Sequence, residues 1–293
     1  MFSGEGAGME TLARLTALLP AEAGKQLSVW SRDVCEVRLR VGKPVQLRGR
    51  ASEWLSENIM DASTLNRVVV SLLDHSLYAR EEELRQGYFT MPDGCRVGVC
   101  GRLVFDGQNV TGMGGIGSLC VRVSREMKGC ADGLMSRIMD ETGRVRSALI
   151  VSAPGMGKTT LLREITRKLS ESGHNVGLAD ERHELAACRD GCPTLNVGPR
   201  TDVMDGGPKS VAISHMLRAT APDVVIADEI GGEGDAAALA EAARCGVAVI
   251  ASAHAGRFEQ LNRRRALREA LEVFELGILL GGTPGNVVEI REM

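Results

Sequence analysis

The stretch Ser152-Ala153-Pro154-Gly155-Met156-Gly157-Lys158-Thr159-Thr160 constrains this chain more than any other. It follows the apolar run Ser147 to Val151 and opens an amphipathic helical pattern through Leu161, Leu162, Ile165 and Leu169, so the motif sits between a strand and a helix. A polyphosphate needs several backbone N–H donors converging on it. Glycine lets the chain wrap that closely, and a helix amino terminus adds a favourable dipole. Lys158 is then the candidate for the terminal phosphates, Thr159 for a hydroxyl on Mg²⁺ and Thr160 for a more remote phosphate. The strict Walker A pattern opens on glycine and this one opens on Ser152, a small residue that fits if its φ is negative. The plain alternative is a glycine-rich strand-to-helix turn.

Downstream the texture fits an α/β domain. Val176 to Ala179, Val224 to Ala227 and Val247 to Ala251 are short apolar runs separated by helical patterns, as buried parallel strands with crossover helices are. Pro222-Asp223-Val224-Val225-Ile226-Ala227-Asp228-Glu229 ends in two carboxylates, where open parallel sheets place their ligands. Asp228 is expected to hold Mg²⁺ through water, and Glu229 to polarise the attacking water. A second acidic pair, Asp180-Glu181, ends the preceding strand before Arg182, and makes Glu181 the reserve candidate for the base. Capping or loop ion pairing is the alternative for these three. Ser252-Ala253-His254 ends a further strand and makes His254 a candidate sensor of the γ-phosphate.

With 293 residues the chain is long for one core, and a change of texture marks two. Residues 1–125 read as a small α+β domain, 126–145 as a linker and 146–293 as the P-loop domain. In the first, 61 to 86 read as a helix capped by Asp61 or Ser63. Cys35 to Val41 alternates as a half-buried strand. Gly87 to Asn109 reads as an antiparallel meander with turns at Pro92-Asp93-Gly94 and Asp106-Gly107. The run Thr111 to Gly117 reads from its composition as a mobile loop.

Several function classes lose support on composition. A net charge of −3 gives no general pull towards nucleic acid, and aromatics at 3% leave few platforms for stacking bases. No basic segment followed by an apolar run opens the chain, and nowhere do ~18 apolar residues follow one another, so a cytoplasmic protein without a membrane span is expected. The eight cysteines include no Cys-x-x-Cys pair. Cys95 and Cys100 would face opposite sides of a strand, Gly191 and Pro193 disfavour a helix through Cys188 and Cys192, and buried free thiols are the expectation.

The order of phosphate loop, Asp180-Glu181-Arg182, Asp228-Glu229 and Ser252-Ala253-His254 resembles the type II/IV secretion ATPases, which have a RecA-like P-loop fold. The segments Glu36 to Pro44, Gly94 to Gly98, Val197 to Val203 and Pro222 to Val225 carry the resemblance to the stage III sporulation protein AA family across nearly the whole chain. That resemblance implies an ATPase using ATP and Mg²⁺, working as a homo-hexamer and docking on membrane-bound sporulation complex proteins between mother cell and forespore. Gly231-Gly232 and Gly281-Gly282 stand where the resemblance leads one to expect arginines, which puts contacts between subunits in question rather than nucleotide binding. Candidates for an arginine acting in trans are Arg96, Arg102, Arg122 and Arg200, and Arg263-Arg264-Arg265 with Arg268 form a basic cluster that could meet an acidic partner. Two other readings stay open: a motor stimulated by nucleic acid, and a nucleotide-gated scaffold without turnover.

Overall fold

The computed structural model describes residues 8–49, 52–73, 84–124, 127–188, 191–261 and 265–293. Two compact units divide the chain near residue 125. In the first, strands β1 (Glu36–Arg40), β2 (Pro44–Arg48), β3 (Glu53–Ile59), β4 (Tyr88–Thr90), β5 (Arg96–Asp106) and β6 (Asn109–Arg122) form a sheet of order β3-β2-β1-β6-β5-β4. Every pair in it is antiparallel. Alternation decides its inner face: Val37, Leu39, Val45, Leu47, Val97, Leu119 and Val121 are buried and gather in one core. Helices α1 (Met9–Leu18), α2 (Ala21–Val29) and α3 (Ala62–Leu72) add Leu15, Leu27, Leu65 and Leu72 to that core.

Asp61 is the residue that caps α3, accepting from the Thr64 amide at 2.8 Å and the Thr64 hydroxyl at 2.7 Å. The expected helix of 61 to 86 is described as far as Leu73, and Leu77 lies outside the described residues. The two expected turns are present. Gly94 N bonds Met91 O at 2.8 Å, and Asp106 pairs with Asn109 across a two-residue turn.

Three expectations need correction. The run Thr111 to Gly117 is part of β6, paired with β5 from Gly112↔Val104 to Ile116↔Gly101. Its glycines serve close approach and a local irregularity: a Cβ on Gly101 would stand 2.8 Å from Gly115 O, and the register shifts beside it. Residues 126–145 are no linker, because α4 (Asp132–Ile138) buries Leu134 and Ile138 in the core of the second unit. Of the eight thiols only Cys95 is buried; Cys100, Cys192 and Cys245 are exposed and the other four half-buried. Burial and the charge of Asp93 push the Cys95 thiol up to about 12.

The second unit is a seven-stranded sheet of order β13-β12-β7-β11-β10-β8-β9. Its strands are β7 (Ala148–Ser152), β8 (Val176–Asp180), β9 (Thr201–Asp205), β10 (Val224–Ala227), β11 (Ala248–His254), β12 (Leu276–Leu280) and β13 (Val287–Glu292). All pairs are parallel except β12 with β13. Helix α5 (Lys158–Glu171) and α4 cover one face, α6 (Lys209–Ala219) and α7 (Glu233–Arg244) the other. The period of two is visible in single strands. Leu149, Val151, Val225 and Ala227 point to the α6/α7 core, while Ala148, Ile150, Val224 and Ile226 point to the α5 core. Each fully buried Leu, Ile or Val there contributes about 1.5–3 kcal/mol, so the sheet interior holds the strand ends in fixed register.

Candidate functional site

Parallel pairing puts the ends of β7, β8, β10 and β11 on one edge, and those four ends carry the residues singled out in the sequence. Ser152 ends β7 fully buried, and the turn after it places Gly155 at φ 77° and Gly157 at φ 86°, left-handed angles that glycine adopts without steric cost. Ala153, Pro154 and Gly155 are exposed along the outside of the turn and Met156 is half-buried. The carbonyl of Met156 accepts from Gly285 N at 2.9 Å, so the turn joining β12 to β13 braces the loop.

Lys158 opens α5 and its side chain folds back into this turn. Its Nζ lies 3.1 Å from Ser152 Oγ, 3.3 Å from Ser152 O, 3.4 Å from Ala153 O and 2.9 Å from His254 Nδ1. Burial lowers the Lys158 pKa from the usual lysine range against the pull of Asp228 and Glu229. A lysine ammonium only donates, so Nδ1 of His254 accepts and the ring proton sits on Nε2, which meets Glu229 Oε1 at 2.6 Å.

The acids after β10 are held from three sides. Asp228 Oδ2 accepts from Thr159 Oγ1 at 2.7 Å and its Oδ1 accepts from Ser252 Oγ, while Ser252 Oγ receives the Glu229 amide at 3.0 Å. Glu229 has φ 51°, a left-handed angle rare for glutamate, and it turns the carboxylate back towards His254. Its second oxygen is bonded by Arg182. Burial alone raises the Glu229 carboxyl, but the His254 hydrogen bond and the Arg182 charge outweigh it and hold the group below the usual range.

The pair after β8 divides its labour. Asp180 is buried, and its carboxylate accepts the amides of Glu184 at 2.9 Å, Leu185 at 3.1 Å and Ala186 at 2.8 Å, which folds the following loop. Desolvation raises its pKa against those three amides. Glu181 is paired with Lys209 at the start of α6, and Lys209 also reaches Asp235 at 3.9 Å. A narrow cleft brings Glu181, Arg182, Lys209, Asp228 and Glu229 together. Thr160 lies half-buried in the first turn of α5.

Among the arginines considered for a trans role, Arg200 is held at the far end of α5, its Nη1 on Ser170 O at 3.2 Å. That carbonyl is eleven residues, roughly 17 Å, along the helix from Thr159. Arg96, Arg102 and Arg122 lie on β5 and β6 of the first unit, Arg96 stacked on Tyr88 at 3.8 Å. Arg263 and Arg264 fall outside the described residues. Sequence reasoning missed the contacts of Arg182 with Glu229 and of Lys209 with Glu181. The signal for the first was the place of Arg182 next to the acidic pair, and nothing local announced the second.

A mostly parallel sheet wrapped by helices on both faces, with a glycine-rich strand-to-helix turn and acids on one edge, defines a RecA-like P-loop fold. The pilus retraction motor PilT with bound ADP superposes with a TM-score of 0.59 at 14% identity, over 94% of this chain and 83% of that one. The ATPase DotB of Yersinia pseudotuberculosis gives 0.57 at 13%, over 92% and 78%. At such identities the likeness is one of fold. The chain belongs to the family Sporulation stage III, protein AA, whose model matches residues 14–293. It is 36% identical over 271 residues to Stage III sporulation protein AA of Bacillus subtilis (strain 168), covering 89% of this chain and 87% of that relative. Among the described residues no helix is long and apolar enough to cross a membrane.

Proposed function

We propose that this chain binds MgATP on residues 152–160 and hydrolyses it, with Glu229 as the base that takes a proton from the attacking water. The observation that carries this is the junction of Thr159 Oγ1 with Asp228 Oδ2 at 2.7 Å beside the Lys158 ammonium, a hard-oxygen pair next to a phosphate-type turn. Two oxygens that close fit one Mg²⁺ shell, whose neighbouring ligands stand about 3 Å apart when each lies at 2.0–2.1 Å, with Asp228 acting directly or through a water. The bound ion would neutralise charge on the β- and γ-oxygens. The chain's own groups do the rest. The amides of Gly155 to Thr160 and the Lys158 ammonium bind the phosphates, and the positive end of α5 adds to them. His254, touching both Lys158 and Glu229, reports whether a γ-phosphate has taken the lysine. Glu181 is the alternative base, less well placed because Lys209 holds its carboxylate.

The names of the relatives, a sporulation protein and a pilus retraction motor, support a motor that works on membrane-bound sporulation complex proteins. The same reading takes the chain as a cytoplasmic homo-hexamer reaching the membrane through that partner. Phosphate release from MgATP tests the enzyme reading. The wild type should turn over, and Glu229→Gln should keep nucleotide affinity while losing at least about 100-fold in rate. Binding with no turnover by the wild type would leave the nucleotide-gated scaffold.

A further inference from the structure

Arg182 has no part in the function proposed above, yet it stands inside that site, bonded to Glu229. Its anchorage is firm at the base and free at the tip. The Asp180 carboxylate gathers the amides of the loop behind it, and Arg163, one turn beyond Thr159 on α5, bonds the carbonyls of Leu185 at 2.7 Å and Glu184 at 2.5 Å. The loop that carries Arg182 is therefore fastened to the helix that carries the phosphate turn. The Arg182 side chain itself is 51% exposed, so the guanidinium can exchange partners without unpacking anything.

Electrostatics gives the exchange a direction. Arg182 is paired with the Glu229 carboxylate. A triphosphate on residues 152–160 brings a denser anion next to Glu229, one that a planar five-donor fork matches in bidentate fashion. Lys209, a further cation of the same cleft, is occupied by Glu181 and Asp235, and Lys158 is already assigned to the phosphates. Resting on the ATPase reading, we propose that Arg182 is the charge-neutralising arginine of this site and acts in cis: the guanidinium that bonds Glu229 passes to the terminal phosphate when MgATP binds. The transfer frees Glu229 Oε2 to receive the water proton as the charge on the departing phosphoryl group is met. The site then needs no arginine from a neighbouring subunit for this step.

Full-length protein carrying Arg182→Ala, Arg182→Lys, Glu229→Gln or Lys158→Ala provides the test. Arg182→Ala should bind ATP within about fivefold of wild type, which also shows the site folded, and turn over at least tenfold more slowly, with 100-fold or more in line with such arginines elsewhere. Arg182→Lys should fall between. Mixing Arg182→Ala with Lys158→Ala should restore nothing, because a cis residue cannot be lent by a neighbour. Binding of MgADP with aluminium fluoride separates contact with phosphate from mere positioning of Glu229. In the Glu229→Gln background, adding Arg182→Ala should still weaken that complex at least tenfold, whereas a residue acting through Glu229 would change it no further. A loss of turnover below tenfold, recovery on mixing, or an unchanged fluoride complex overturns the assignment. If the wild type shows no turnover at all, the ATPase reading fails and this assignment with it, an outcome distinct from a working enzyme indifferent to Arg182.

Discussion

His254 Nδ1 lies 2.9 Å from the Lys158 ammonium, across the gap between β11 and the start of α5. The imidazole thus bridges the lysine and, through its other nitrogen, Glu229. A γ-phosphate would replace the ring as partner of Lys158, while His254 keeps its bond to Glu229. His254→Ala should therefore leave ATP affinity within about threefold of wild type. Turnover should fall about 10- to 100-fold, the equivalent of one hydrogen bond to a charged group. ATP titration and steady-state phosphate release check this; a raised Kd with unchanged kcat would make His254 a binding group.

Gly155 and Gly157 share a left-handed φ but not the same surroundings. A Cβ on Gly155 meets nothing within 4 Å, whereas one on Gly157 stands 3.1 Å from Gly285 N. Gly155→Ala should cost only the backbone strain, about 1–2 kcal/mol. Gly157→Ala should cost more and also displace the brace between Gly285 and Met156, weakening ATP at least about tenfold against a smaller loss for Gly155→Ala. Thermal unfolding and nucleotide titration of both variants show whether the order holds.

What could be read in advance follows from where burial is complete. β7, β8, β10 and β11 are buried on both faces, so they are dominated by Val, Ile, Leu and Ala in short apolar stretches that local pattern reveals. β9 and β13 are sheet edges, half-buried and mixed in polarity, and carry no such run. β12 is apolar, and its Gly277 leaves room for the Phe258 ring that a Cβ would meet at 2.8 Å. The glycines of β6 looked like a loop because composition does not distinguish freedom from close approach. In the site, the phosphate turn, Asp228, Glu229 and His254 were legible because each ends a strand. Arg182 and Lys209 join them only through tertiary contacts that no local pattern contains.

Ser252 touches neither nucleotide nor metal in the proposed function, yet its hydroxyl bonds Asp228 and receives the Glu229 amide. Ser252→Ala should free the Asp228 carboxylate to rotate and weaken the apparent Mg²⁺ affinity about 10-fold, as loss of an outer-shell partner does elsewhere. Binding of ATP without Mg²⁺ should be unchanged. Turnover measured against Mg²⁺ at fixed ATP, beside metal-free titration, distinguishes this from general damage to the site.

Glu164 sits on α5 away from the cleft, and it links the phosphate helix to the segment entering the second unit. Its side chain is 6% exposed, and its oxygens accept from Gly129 N at 2.7 Å and from Arg167 at 2.7 and 2.8 Å. Burial raises its pKa, but the Arg167 hydrogen bonds, the Gly129 amide and the charges of Arg167 and Lys168 outweigh burial and lower it overall. A carboxyl lowered in the folded state adds stability that is fully present above its unfolded pKa, about 4.3, and is lost as pH falls through the folded value. Glu164→Gln should therefore destabilise the second unit by about 1–3 kcal/mol at pH 7, with the difference from wild type shrinking below about pH 4. Urea unfolding at pH 7, 5 and 3.5 measures that gap. A gap that stays constant across the series would mean that the amide and guanidinium contacts act through shape, and that the ionised carboxylate contributes nothing of its own.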